Sequence, residues 1–296
     1  DETKALVISS TPRSGSTLLS QVLGSISNSC TLFEPLHLEN VPEAAAAGFG
    51  WRTYIPPQEN WPKGEAYLRR VFKGEILNGW TVREISYRDA SNTEWLIVKF
   101  VRANRLYPWL CRHFDLPAPI LLMRHPCAVI SSQRDYGWEG REKPELPTYL
   151  EDYPRFRKVY TRLKPGMAYL AAKWAFDQLA LLMQPRPHPW MVITYEELVL
   201  RPQETLTKIT DRWGVAIDIG DALSKLNTPS SVVTGMRQTI SGIDGWTKKL
   251  TDEQISQILA TVNGFGINFY DGGLEPNYSI LHKETLAHSI GLAGKA

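Results

Sequence analysis

Short apolar runs alternate with stretches of helical spacing along the chain. Ala5-Leu6-Val7-Ile8 has the length and character of a buried strand, and it gives way to a small polar stretch from Ser9 to Thr17. Leu18, Leu19, Val22, Leu23 and Ile26 then recur at the spacing of one helix face. Strand, small-residue loop and helix in that order predict the opening of a parallel α/β unit. Leu96-Ile97-Val98 and Ile120-Leu121-Leu122-Met123 predict two more buried strands, each followed by a cation, Lys99 and Arg124. Trp190 to Thr194 predicts a fourth. Helices are expected over 102–114 and 167–183. A last helix is expected over 252–262, where Thr251 can cap the first turn and Gln254 stands three residues on. The alternation predicts a parallel sheet with helices on both faces.

Two stretches break this alternation. Residues 40–95 hold Trp51, Trp61, Trp80 and Trp95 among prolines and glycines, and residues 136–166 hold Tyr136, Trp138, several prolines and a mixed-charge run. Both are expected as cap insertions over the strand ends of a single domain spanning 1–296. With 43% hydrophobic and 22% charged residues the chain has globular composition, which excludes disorder and collagen as its architecture. Lys and Arg number 33 against 31 Asp and Glu, a net charge of +2. That balance argues against nucleic acid as a partner, so any anion site has to be built locally. Cys30, Cys111 and Cys127 have no metal-binding spacing, and a reducing, cytoplasmic compartment is the simplest reading. No run of 18 apolar residues occurs, so no membrane span is expected. The chain starts at Asp1 without a methionine, which leaves open an upstream anchor or signal that has been cut away, and with it a lumenal compartment. Oligomeric state is not written in the sequence.

The loop after the first strand carries the first chemistry. Laid on the nucleotide-binding pattern, Ser10 takes the first glycine position, Gly15 the second, Ser16 the lysine and Thr17 the hydroxyl. Backbone N–H groups and the helix dipole make an anion cradle there, with Arg13 as the cation inside the loop. The plainer reading is an ordinary strand-to-helix turn with Ser and Thr as caps. The third predicted strand shifts the balance. A nucleoside-triphosphate enzyme holds Mg²⁺ with an acid at a buried strand end. Here the strand ends at Arg124-His125-Pro126, and Ser132 follows eight residues after Arg124. A guanidinium and a hydroxyl at that spacing can grip one phosphate. Two anion sites without an evident metal carboxylate suggest a ligand with separated phosphates, used without a metal.

These residues together resemble the sulfotransferases that use 3′-phosphoadenosine-5′-phosphosulfate (PAPS). Thr11 to Leu19 looks like their 5′-phosphosulfate loop and Arg124 to Ser132 like their 3′-phosphate motif. Tyr195 to Pro202 looks like the segment after their fourth main strand, and Gly245 to Leu250 resembles their C-terminal tryptophan-lysine segment more loosely. The resemblance runs in order over most of 5–270. Phe33-Glu34-Pro35-Leu36-His37 and Val98 to Arg102 are similar to carbohydrate 6-O-sulfotransferases, and the Tyr195 to Leu200 segment also to tyrosylprotein sulfotransferases. The implied fold is α/β, a P-loop-like parallel sheet flanked by helices. The implied activity is in-line sulfuryl transfer from PAPS to an acceptor hydroxyl, leaving adenosine 3′,5′-bisphosphate (PAP), with no metal required. A glycan acceptor ranks first, with peptidyl tyrosine or a small molecule as rivals. An atypical kinase or a non-enzymatic nucleotide-binding module ranks lower.

The resemblance also implies roles. Arg13 and the backbone of Ser14, Gly15, Ser16 and Thr17 hold the 5′-phosphosulfate, Arg124 and Ser132 the 3′-phosphate, and Tyr195 falls on the adenine side. Glu34 falls at the catalytic carboxylate, as general base, with His37 the runner-up. Arg13 and Lys99 are assigned to charge on the transferred group and leaving group, although a strand-end lysine equally pairs with a nearby acid. Arg237 and Lys248 are C-terminal candidates for the 3′-phosphate, in a segment where Met236-Arg237-Gln238 lacks the relatives' Arg-Lys-Gly run. Arg102 is expected to anchor a helix start, and Trp246 to close the core. The four tryptophans of 40–95 are either a sugar-stacking platform or the core of a cap. Arg52, Arg69, Arg70 and Arg83 are available to an acidic peptide or an acidic glycan.

Overall fold

A computed structural model describes residues 4–84, 93–226 and 242–282. Five strands form one sheet in the order β2-β3-β1-β4-β5, every neighbouring pair parallel. They are β1 (Lys4–Ser10), β2 (Ser29–Phe33), β3 (Trp95–Lys99), β4 (Ile120–Met123) and β5 (Met191–Thr194). The three central strands are near-continuous apolar runs because a parallel sheet covered on both faces leaves no polar side. Leu6, Val7, Ile8, Ile97, Val98, Ile120, Leu121, Leu122 and Met123 are all fully buried.

The chain gathers into two compact units, Asp1–Met123 with Pro189–Ile240, and Arg124–His188 with Ser241–Ala296. The first unit holds the whole sheet. Helix α1 (Ser16–Leu23) packs on β1, β3 and the Ile219–Leu226 helix. Between β2 and β3 the Pro62–Phe72 helix packs on β3, with Leu68 and Val71 fully buried. Residues 40–84 are therefore partly core. The second unit is helical. The Asp252–Gly264 helix packs on Met167–Leu182, Pro126–Asp135 and Pro154–Thr161, and Phe265 meets Phe156 and Phe176 at ring distances of 5.9 and 5.0 Å. Its start is the expected capping box: Thr251 Oγ1 accepts from the Gln254 N–H, and the Gln254 side chain accepts from the Thr251 N–H.

Four strands were legible as apolar runs, and β2 was not. Ser29-Cys30-Thr31-Leu32-Phe33 opens with three small polar residues, the first two half-exposed, so no apolar run marks it. The expected helix over 102–114 is also shorter than its pattern. It is a 3₁₀ turn, Asn104–Leu106, leading into a helix over Tyr107–His113, with Arg102 outside it. No helix among the described residues is long and apolar enough to cross a membrane. No disulfide joins the three cysteines, and burial pushes the thiols of Cys111 and Cys127 up to about 12.

Candidate active site

The strand ends of the sheet collect an unusual backbone. Among the described residues four non-glycine residues have positive φ: Arg13 (77°), Asn28 (55°), Glu34 (41°) and Arg102 (75°). Asparagine tolerates this region, but for the other three it costs about 1–3 kcal/mol each. Arg13 follows β1, Glu34 follows β2 and Arg102 follows β3, all at the carboxyl ends where ligands of open α/β sheets bind. Such strain persists only where the surroundings over-determine it.

The first strained residue lies in the loop between β1 and α1. A turn closes on itself through the Ser14 N–H to the Thr11 carbonyl at 3.1 Å, and Gly15 enters α1 with φ of 95°. Glycine is required twice here. The φ is left-handed, and a Cβ on Gly15 would lie 2.4 Å from Cδ2 of Tyr195. Tyr195 thus backs the loop with its ring. It opens the Tyr195–Leu200 helix, which is fixed by a capping box between Thr194 and Glu197. Ser10 and Ser14 are fully buried, and their hydroxyls have no hydrogen-bond partner among the described residues. An unpartnered buried hydroxyl costs about 1–3 kcal/mol. Two of them in one loop, with a helix N-terminus behind, fit a polyanionic ligand that accepts hydrogen bonds.

Glu34 and Lys99, proposed separately from sequence, touch. Lys99 Nζ donates to Glu34 Oε1 at 2.9 Å, with the side chains 1% and 16% exposed. The contact follows from register, because Phe33 pairs with Lys99 and the Glu34 N–H donates to the Lys99 carbonyl at 2.8 Å. Lys99 Nζ also sits 3.7 Å over the Phe33 ring. Glu34 follows β2 where the chain turns, in a left-handed conformation, and its ion pair is with Lys99.

His37 donates its N–H to the Glu34 carbonyl at 3.0 Å, and its ring lies 5.1 Å from Trp51 and 4.5 Å from Trp80. Burial holds its imidazole below the ordinary value of 6.5, with the Arg102 guanidinium acting in the same direction and Glu34 against it. The four tryptophans of 40–95 do not form one platform. Trp61 packs on Phe49 and Trp109, Trp95 lies under Lys4, and Trp51 and Trp80 flank His37.

Sequence reasoning missed Glu84. Burial raises its carboxyl above the usual range, Lys99 opposes that shift, and Oε2 lies 3.4 Å from Ser20 Oγ. Only folding brings it to Lys99; an isolated Arg-Glu pair gives no signal.

In the helical unit, Arg124 is the residue directly after β4, and Ser132 lies on the second turn of the Pro126–Asp135 helix. His125 caps that helix. Its Nδ1 accepts from the Cys127 N–H at 3.2 Å and its Nε2–H donates to the Asp271 carbonyl at 3.0 Å. Trp246 stacks on it at 4.6 Å and 10°, so this tryptophan is core, as expected. Lys248 is 78% exposed and pairs with Asp244 at 3.4 Å. Arg237 lies outside the described residues. Among the described residues no cluster of His, Cys, Asp and Glu is placed to hold a metal ion.

A model of the sulfotransferase family matches residues 5–218. The chain belongs to the sulfotransferase family. The match takes in the loop, Glu34, Lys99, Arg124, Ser132 and Tyr195. No curated protein matches the chain. Among solved structures it is similar to the sulfotransferase domain of the Synechococcus PCC 7002 olefin synthase (22% identity, 92% of this chain and 97% of that chain, TM-score 0.48). It is also similar to mouse sulfotransferase SULT7A1 complexed with PAP (14% identity, 87% and 83%, TM-score 0.46).

Proposed function

We propose that this sulfotransferase moves the sulfuryl group of PAPS to the hydroxyl of an acceptor, with Glu34 as general base. The observation that carries the reading is the β1–α1 loop, with its left-handed Arg13 and Gly15, its two buried unpartnered hydroxyls and a helix N-terminus behind them. Ser10, Arg13 and the backbone of Ser14, Gly15, Ser16 and Thr17 take the 5′-phosphosulfate. Arg124 and Ser132 take the 3′-phosphate, on the strength of their spacing and of the position of Arg124 after a buried strand. PAPS supplies the activated sulfuryl group. The chain's own residues orient it, exclude water and remove the acceptor's proton.

Glu34 suits the base role because Lys99 occupies only one carboxylate oxygen, Oε1, which leaves Oε2 for the acceptor proton. Lys99 positions that carboxylate and adds a fixed cation to the site as negative charge gathers on the leaving group. His37 is the alternative base. It is held neutral at physiological pH by its burial, with imidazole Nδ1 3.2 Å from Asn40 Nδ2. A glycan stays the first-ranked acceptor, with peptidyl tyrosine and small molecules behind it. Support for it is the resemblance of the Phe33 to His37 segment to carbohydrate 6-O-sulfotransferases.

The experiment is calorimetric titration with PAP in EDTA, against ATP with Mg²⁺. Micromolar binding of PAP, about −8 kcal/mol, with weak ATP binding is expected. Tighter binding of Mg·ATP would overturn the donor assignment and return the chain to phosphoryl transfer.

A further inference from the structure

We propose that Tyr67 is a positioning residue for sulfuryl transfer: its phenol holds the turn that presents the Glu34 carboxylate, and the reaction slows when that hydroxyl is removed. This rests on the reading of Glu34 as general base. Glu34 opens the turn Glu34-Pro35-Leu36-His37, which the backbone N–H of His37 closes on the Glu34 carbonyl at 3.0 Å. Its φ of 41° is unfavourable for two reasons. A β-carbon is crowded in the left-handed region, and the Pro35 ring drives the residue before it toward extended backbone. Left to itself, Glu34 relaxes to extended backbone. That rotation redirects its Cβ and carries the carboxylate off Lys99 Nζ, which it meets at 2.9 Å.

Two backbone bonds hold the approach to the turn: Phe33 N–H to the Thr81 carbonyl and Glu34 N–H to the Lys99 carbonyl, both at 2.8 Å. They act on the amino side of the Glu34 Cα, whereas rotation about φ and ψ moves what lies on its carboxyl side. The bond from His37 is internal to the turn and travels with it. Tyr67 grips the carboxyl side from outside: its hydroxyl donates to the Pro35 carbonyl at 2.5 Å, between buried groups. Burial pushes this phenol well above its ordinary value, so it stays a donor across the working pH range. Tyr67 is itself firmly placed. It is 4% exposed, its ring lies 5.3 Å from Phe49, and it belongs to the Pro62–Phe72 helix, which packs on β3. That strand also carries Lys99, so the base and its cation are referred to one frame. The phenol thus supplies the tertiary contact that keeps a strained base in place.

The test is Tyr67→Phe, which keeps the ring and removes the hydroxyl, alone and combined with Glu34→Gln. PAP affinity is measured by calorimetry. Sulfotransfer from PAPS is measured with two probe acceptors, 4-nitrophenol and methyl galactoside. Tyr67→Phe is expected to keep PAP affinity and acceptor KM within about threefold while kcat falls about 10- to 100-fold, the cost of a misplaced base. In the Glu34→Gln background the same change should cost less than about twofold, because the group it positions is already gone. The crystal structure of Tyr67→Phe should show Glu34 out of positive φ and its carboxylate away from Lys99. This arm needs no acceptor, so it decides the matter where neither probe is sulfated. Glu34 keeping its φ of 41° and its 2.9 Å contact in that structure overturns the proposal. So does a kcat equal to wild type, an equal loss in both backgrounds, or a loss of PAP affinity as large as the loss of turnover. If Glu34→Gln itself turns over like wild type, the base reading fails. If Glu34→Gln is slow and Tyr67→Phe is not, only this inference fails.

Discussion

The Glu34–Lys99 pair is the most informative place to perturb the enzyme, because it joins stability to chemistry. The ammonium is essentially inaccessible and the carboxylate nearly so, with 2.9 Å between them. At an effective dielectric near 20 the attraction at that distance is about 6 kcal/mol, most of it offset by the loss of hydration on burial. Removing one partner leaves the other charge buried and typically costs about 3–5 kcal/mol. Glu34→Gln keeps an oxygen to accept from Lys99, so about 3 kcal/mol is expected. Lys99→Met leaves a carboxylate with some access to water, so about 2–3 kcal/mol is expected. The double variant removes both charges and should lie within about 1–2 kcal/mol of wild type, a coupling of about 3–5 kcal/mol. The assay is urea unfolding of all four proteins, with PAP affinity and single-turnover sulfotransfer measured on each. As general base, Glu34 should cost about 10²–10⁴ in turnover when changed to Gln, with PAP affinity kept. Additive single effects would refute the buried pair. Turnover of Glu34→Gln within tenfold of wild type would refute the base.

Three further outcomes are expected. Burial lowers His125 to about 4, and its neutral form is already satisfied at both nitrogens, so a proton on Nδ1 would face the Cys127 N–H. Because the unfolded chain takes up that proton near 6.5, stability falls as pH drops from about 6.5 to about 4, by about 3 kcal/mol in all. His125→Asn keeps a capping oxygen and should flatten that slope in urea unfolding at pH 7 and 4.5; an unchanged slope would show that another group carries it. Gly15→Ala should weaken PAP at least about tenfold and destabilise the first unit by about 2–4 kcal/mol, through the left-handed φ and the contact with Tyr195. Wild-type melting and PAP affinity in that variant would show that the loop is not the anion cradle. Arg124→Ala should weaken PAP by about 10²-fold and Lys248→Ala by less than about twofold, since Lys248 is exposed and paired with Asp244. The reverse order in calorimetry would exchange their roles.

Much of this enzyme is written locally. Continuous apolar runs fixed β1, β3, β4 and β5, because a strand buried on both faces admits no polar alternation. The loop from Ser10 to Thr17 and the capping box at Thr251 and Gln254 were legible because each is made by neighbours in the chain. β2 was hidden because Ser29, Cys30 and Thr31 precede its two apolar residues, whereas β5, the other edge strand, keeps an apolar run. Glu34 and Lys99 were each visible as candidates, but their bond spans 65 residues and depends on the register of β2 against β3. The same is true of Tyr195 behind Gly15, of Glu84 near Lys99 and of Trp51 and Trp80 around His37. Arg102 looked like a helix start, since φ is not written in residue type. Periodicity and turn chemistry act over a few residues and survive as patterns in the chain. Burial, charge pairing and backbone strain are sums over neighbours in space, and only the packed sheet decides who those neighbours are.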